Sequence, residues 1–434
     1  MTLAFCLILF VAGLGIYRFR SQYLLHFLLL WFCFAPILFN FFYTIEQEEY
    51  YNILTWAVYL GYAIVFFDYL RFGISEKWLG LLVLCVVVLM FYYVSLSFVR
   101  GTSFVDSIKY ITGNVGFLLP LSFLLYKDCD IQSLGRFVRR IVYFELLLAL
   151  LQPFTDVLNF HAALNGDDVM TSMVNGTFVR NNVFVEFLVP LVMLLISYDY
   201  QESQKLTPKT ALVVITSLFV VYNSGVRTAL VAIAPLLIYA FYSFLGNIFI
   251  SKRGRIIAML FGGLCLYSIY SFIQDVAEET GVTYTSDATD SSERQAVLFS
   301  MLNDADFAEQ QTTLGLSFVV LYTFSENPVL GPGKLFQGKG YGDFINKEAA
   351  NITDATLAIF LCETGLIGFT ILLFIFYILL NKLAPPHPMP KLIFLYLFVI
   401  TISDPGVFFM GNMLILFITI KFYFSLSQTE ILEQ

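Results

Sequence analysis

Charge is scarce in this chain. Only 13% of its 434 residues are Asp, Glu, Lys or Arg, against roughly a quarter in an average soluble protein. A water-soluble domain of this size is excluded, because it could not hide the remaining apolar surface. Histidine is scarcer still. There are three, without the spacing of metal ligands, so no zinc site is expected. The six cysteines (Cys6, Cys33, Cys85, Cys129, Cys265, Cys362) form no CxxC pair. All but Cys129 lie in or beside apolar runs and read as small buried hydrophobes. Basic clusters longer than three or four residues are missing, and the net charge is −8. Nothing here would hold a nucleic acid backbone.

What the chain does have is apolar sequence, 59% of it. Continuous runs of about 20 residues recur, the length a helix needs to cross a hydrocarbon core about 30 Å thick. Lipid-exposed backbone has no water to bond to, so spanning segments are helices or closed barrels. The runs do not alternate, which selects helices. The expected fold is all-α, a polytopic transmembrane helical bundle forming a single membrane domain over 1–434. The expected spans are 2–17, 23–43, 50–68, 78–98, 108–126, 138–154, 182–198, 210–223, 228–250, 256–273, 354–380, 391–403 and 407–424. Asp404-Pro405-Gly406 separates the last two or breaks one helix, giving twelve or thirteen. The first run lacks a basic leader and an A-x-A site, and reads as a span rather than a cleaved signal. One long polar stretch, 274–351, interrupts the series as a loop with short helices. No internal repeat is visible, which argues against many transporter folds.

Basic residues sort by side. Fifteen (Arg18, Arg20, Arg71, Lys77, Lys127, Arg136, Arg139, Arg140, Lys205, Lys209, Lys252, Arg253, Arg255, Lys382, Lys391) fall on one side, and eight on the other: Arg100, Lys109, Arg180, Arg227, Arg294, Lys334, Lys339 and Lys347. The positive-inside rule places the fifteen in the cytoplasm. The N-terminus, the acidic turn 46–49 and the long loop then face outwards.

Four segments on the outer side carry candidate chemistry: Asn175-Gly-Thr-Phe-Val-Arg180-Asn181-Asn182, Asn223-Ser224-Gly-Val-Arg227-Thr-Ala-Leu, Ser291-Ser-Glu-Arg294-Gln, and Asn351-Ile-Thr-Asp354-Ala-Thr-Leu, which runs on to Glu363-Thr-Gly-Leu-Ile-Gly368. Ser292 with Gln295 fits a capping box, so a helix is predicted to start there. Arg294 in its first turn opposes the helix dipole. Either it pairs with Glu293 or Asp290, or helix amides and guanidinium together bind a phosphate. Arg227 sits between two apolar runs, where a charge costs about 2.5 kcal/mol or more at the bilayer centre and less near the interface. It either snorkels to lipid head groups or, with the Asn-Ser-Gly turn, lines an anion pocket. Arg180 reads as a plain juxtamembrane charge or a third anion ligand. Asp354 reads as a helix cap or a general base. Glu363, nine residues on, is expected to point elsewhere. Glu145 and Glu186 are intramembrane carboxylates that either pair structurally or line a substrate path. Gly333-Lys-Leu-Phe-Gln-Gly338-Lys339-Gly340 imitates a P-loop but lacks the terminal Ser/Thr and a preceding strand, so it reads as a turn-rich loop.

At NGTFVRNN, NSGVRTAL, ENPVLGPG and TDATLAIFLCETGLIG the chain resembles the O-antigen polymerase and ligase superfamily over about 175–368. The resemblance implies a GT-C-like, inverting, metal-independent bacterial inner-membrane glycosyltransferase that uses no cofactor. Its donor and acceptor would be undecaprenyl-diphosphate-linked oligosaccharides, handled on the periplasmic face, with membrane lipid and a chain-length regulator as further partners. It implies that Arg227 and Arg294 engage the lipid diphosphate; Arg180, Asn181 and Ser224, in the same outer-side motifs, are further candidate ligands for it. Asp354 stands where the family's ligases carry a histidine, which favours a polymerase. Asp354 would take a proton from, or orient, the acceptor hydroxyl. A ligase-type transferase to a lipid or protein, and a non-catalytic flippase of lipid-linked oligosaccharide, are the rival expectations.

Overall fold

The structure is a computed structural model. It describes residues 1–42, 47–72, 77–101, 104–124, 129–154, 174–178, 181–203, 208–224, 229, 233, 327–331, 356–383, 389–401 and 406–433. Among the described residues every regular element is helical, as the unbroken apolar runs require. The chain divides into two compact units, 1–140 with 313–434, and 141–312.

In the first unit, α1 (Thr2–Arg20) and α2 (Leu24–Phe42) are joined by a single 3-10 turn, Ser21–Tyr23. Arg18 and Arg20 lie in the last turn of α1, where cations suit the carbonyl end of the helix dipole. α3 (Gln47–Phe72) packs on both. The Tyr17 hydroxyl donates to the buried Asp68 carboxylate, tying α1 to α3. α4 (Lys77–Val99) follows. The predicted span 108–126 is not one helix. α5 (Phe104–Ile111) gives way to a π-helical turn at Thr112–Gly116, and α6 (Leu118–Leu124) resumes. Thr112 donates its hydroxyl to Ile108 O at 2.6 Å, and Gly113, Gly116 and Pro120 lie close together here; side-chain bonding of this kind, glycine and proline all loosen regular helix. α7 (Ile131–Leu151) begins seven residues before the predicted 138. Asp130 accepts the Ser133 amide at 2.9 Å, a helix cap that draws the basic first turns into the helix. The boundary between the units falls within α7.

The second unit holds the rest of α7, then α8 (Asn181–Ser203) and α9 (Pro208–Asn223). α8 is buried on every face from 183 to 199, which suits a sequence apolar nearly all round, with Glu186, Ser197 and Asp199 as its buried polar exceptions. Its Asp199 carboxylate accepts the Thr210 hydroxyl at 2.9 Å, linking it to α9.

α10 (Thr356–Ile378), α11 (Met389–Ile400) and α12 (Met410–Glu433) return to the first unit. A 3-10 turn at Gly406–Phe408 precedes α12. Thr401, fully buried, closes α11. Its hydroxyl donates to Leu397 O at 2.7 Å and accepts the Val407 amide at 3.0 Å. The predicted span 354–380 is a broken helix. Gly365 has φ 64°, a conformation open to glycine and strained for other residues.

Thr2–Phe39, Lys77–Val99 and Glu363–Asn381 are the stretches, among the described residues, long and apolar enough to cross a membrane. Their outward faces are apolar too. On α4, Leu82, Val86, Leu89 and Tyr93 are buried, whereas Leu84, Phe91 and Phe98 are 57–80% exposed. A helix facing water would carry polar residues there. Lipid is the solvent that suits this surface, so the protein is a membrane-associated helical one.

Candidate functional site

Of the six residues singled out for chemistry, Arg180, Arg227, Arg294 and Asp354 lie outside the described residues. Asn181 opens α8. Ser224 follows α9, fully buried, and its hydroxyl donates to Val221 O at 2.7 Å. The predicted spans 228–250 and 256–273 also lie outside, apart from Ala229 and Ile233. Two motif segments are described in detail, one in each unit.

In the second unit the Asn175-Gly176-Thr177 turn is held by two side chains of α7 and the turn that ends it. Glu145 accepts the Thr177 amide at 2.9 Å and the Thr177 hydroxyl at 2.5 Å. Gln152 Oε1 accepts the amides of Asn175 and Gly176 at 3.0 and 2.9 Å. Gln152 Nε2 donates to Asn175 Oδ1 and Gly176 O, both at 2.7 Å. All five residues are buried. Gly176 has φ 56°, and a Cβ there would collide with Phe184 and the Glu145 carboxylate. Three consecutive amides aimed inwards would be an anion nest. Here protein oxygens already fill it, so the turn is a rigid support rather than a vacant pocket. Glu145 is thereby a structural partner of the turn, one of the two readings open from sequence. Gln152 was missed. Its signal is the seven-residue step from Glu145, which puts both polar groups on one helix face.

In the first unit the Asn327–Gly331 turn is seated in the break of α10. Asn327 organises it, accepting the Gly331 amide on its carbonyl at 2.8 Å and the Leu330 amide on Oδ1 at 3.3 Å. Pro328 O and Val329 O then accept the amides of Leu366 and Ile367 at 2.9 and 3.4 Å. Those amides start the second half of α10 and have no carbonyl of their own helix to reach. On the other side of the break, Arg100 donates to Glu363 O at 2.7 Å and Tyr92 to Thr364 O at 2.9 Å. Arg100 also donates to Leu330 O at 2.7 Å and Gly331 O at 2.5 Å. Burial lowers its pKa and the Glu363 carboxylate, 3.9 Å away, raises it again. A Cβ on Gly365 would overlap Val329 O and the backbone of Leu330 and Gly331. Residues 327–331 and 363–367, parts of two of the motif segments, are therefore halves of one junction.

The start of α10 is pinned as well. Leu357 donates its amide to Thr401 O at 3.2 Å. Phe360 stacks at a tilt against Phe408, with ring centroids 5.2 Å apart. The half-helix Thr356–Thr364 is thus fixed at both ends. Arg100 and Thr401 were not singled out from sequence. Arg100 offers a signal, a lone cation at the end of an apolar run. Among the described residues no three metal-ligating side chains come together. Compared with protein-family models, curated proteins and solved structures, the chain matches none.

Proposed function

We propose that this protein is a polysaccharide polymerase of the outer face of a bacterial inner membrane, joining undecaprenyl-diphosphate-linked repeat units. The reading rests on four short segments whose order, spacing and sidedness resemble the O-antigen polymerase and ligase superfamily. The observation that carries it furthest is the junction in α10. Two of the resembling segments, distant in sequence, interlock there through backbone hydrogen bonds, so they behave as one unit. Charge counting puts Arg100 and the loop that includes 327–331 on one side, and the hydrogen bonds from Arg100 to Leu330 and Gly331 support their being neighbours. The finer architecture, twelve or thirteen spans with a GT-C-like site, belongs to the same reading.

The chemistry is the one that the resemblance implies, with the residue types filling its roles. The acceptor sugar hydroxyl attacks the anomeric carbon of the donor chain, and the bond to the lipid diphosphate breaks with inversion. Asp354 accepts or orients the hydroxyl proton. Arg227 and Arg294, with Arg180, Asn181 and Ser224 nearby, neutralise the departing diphosphate. Fixed cations aimed at developing charge are commonly the largest catalytic term. The lipid diphosphate is an activated leaving group, so no nucleotide, metal or other cofactor enters.

Deletion of the gene, followed by gel analysis of surface polysaccharide, tests this. Loss of the ladder with one repeat still attached supports a polymerase. Loss of all attached glycan points to a ligase or flippase instead, and an unchanged ladder removes the reading.

A further inference from the structure

Most of the Arg100 side chain's bonding capacity is committed to backbone. Its hydrogen bonds to carbonyls reach both partners of the junction, Glu363 in α10 and Leu330 and Gly331 in the turn. Such a pattern uses the planar fork of a guanidinium, with donors pointing in several fixed directions; a lysine ammonium on a flexible stem cannot copy it. The position suits a cation for a second reason. The half-helix Thr356–Thr364 ends at the break, and its last carbonyls carry the negative end of the helix dipole. Tyr92 covers the neighbouring carbonyl of Thr364. Without Arg100, the carbonyls of Glu363, Leu330 and Gly331 would lose their shared donor, and the bonds to Glu363 and Gly331 are part-buried, where water replaces a donor poorly.

We propose that Arg100 is a positioning residue. It locks the 327–331 turn into the break of α10 and so fixes the half-helix Thr356–Thr364, which begins two residues after Asp354 in the sequence. The role attached to that half-helix rests on the polymerase reading, whereas the lock itself does not. Arg100 is not expected to touch substrate. Its effect passes through Glu363, Leu330 and Gly331 to the geometry of the acceptor end.

The test has two arms in the full-length protein. The first measures the lock. Val329→Cys and Ile367→Cys, both partly exposed and joined by a backbone hydrogen bond, are introduced into a chain whose native cysteines are changed to Ala or Ser. Disulfide formation is followed in isolated membranes, with and without Arg100→Lys, Arg100→Gln or the milder Tyr92→Phe. Cross-linking should fall by about fivefold or more for both arginine variants and by about twofold for Tyr92→Phe. The second arm uses the native cysteines and one purified lipid-linked repeat. The Arg100 variants should lose turnover by about tenfold or more while KM stays within about twofold, the pattern of a lost transition-state geometry rather than lost binding.

Unchanged cross-linking in the Arg100 variants overturns the lock. Retention of both cross-linking and turnover by Arg100→Lys overturns it too, because charge alone would then suffice. Raised KM with turnover preserved would make Arg100 a substrate contact and overturn the positioning role. If gene deletion leaves the ladder intact, the polymerase reading falls, and the cross-linking arm still decides the lock.

Discussion

The Arg100 guanidinium stands 3.9 Å from the Glu363 carboxylate, but its hydrogen bond to that residue goes to the main-chain carbonyl, at 2.7 Å. The pairing is therefore a helix cap more than an ion pair. A broken helix in or near lipid has amides and carbonyls on each side of the break without helical partners, and each costs free energy when unbonded. The turn 327–331 and Arg100 supply those partners from distant parts of the chain.

Glu363 should consequently matter less than Arg100. Glu363→Gln keeps the backbone carbonyl that Arg100 uses and gives up only a 3.9 Å contact, whereas Arg100→Gln loses the guanidinium's hydrogen bonds to three carbonyls and leaves the buried Glu363 carboxylate without its cation. Thermal unfolding in detergent should rank Glu363→Gln as milder than Arg100→Gln. The reverse order would mean that the carboxylate, not the backbone, holds the guanidinium.

Gly365→Ala should be severe. The φ of 64° strains any side chain, and the added carbon has no space against Val329 O. A backbone conflict of this kind costs about 1–3 kcal/mol before the steric clash is counted. Lowered yield of folded protein in membranes, and a lower apparent melting temperature after solubilisation, are expected. Parental behaviour would show that α10 can run straight.

Glu145→Ala should also destabilise, through the turn it supports. The Thr177 amide and hydroxyl would lose their buried acceptors, a loss of about 1–3 kcal/mol for an unsatisfied buried group. Glu145→Gln keeps one carbonyl oxygen as acceptor and should fall between parent and Ala. Protease sensitivity of the 155–180 region in membranes, compared across the three proteins, measures this.

Cys129 lies outside the apolar runs and offers a pH test. Burial pushes its thiol up to about 11, with nearby Lys421 pulling it down and Asp130 pushing it further up. A raised thiol pKa means less thiolate at any given pH. At about pH 9 only about one part in a hundred is ionised, against about half for an ordinary thiol. Maleimide labelling of a chain retaining only this cysteine should stay slow and still be rising at about pH 10. A half-maximal rate already reached near pH 9 would show an unperturbed, open thiol.

Much of the helical plan was legible because lipid imposes one simple rule, continuous apolar length. α1 to α4, α8 and α9 fall close to their predicted limits. The misses are local. The 108–126 run breaks where glycine, proline and a Thr112 hydroxyl bond coincide, a detail that hydropathy averages away. α7 starts early because Asp130 caps it, and caps lie outside the apolar run. The α10 break was hidden because Gly365 sits inside a mostly apolar stretch; its partners, the turn more than thirty residues earlier and the distant Arg100 and Tyr92, are what make the break stable. For the candidate site, sequence drew attention to charged residues on the outer side. The supports found at Gln152, Tyr92 and Thr401 act through backbone bonds, and polar uncharged side chains at such places have no signature of their own.

Elongation of one purified lipid-linked repeat by the purified protein, in liposomes and without nucleotide, is the most direct test of the central claim. The account predicts a ladder of lengthened chains from the parent, and none from Arg227→Ala or Arg294→Ala proteins that insert normally. A parent that moves the repeat across the bilayer or transfers it elsewhere without lengthening it would contradict the account, as would a full ladder from both arginine variants.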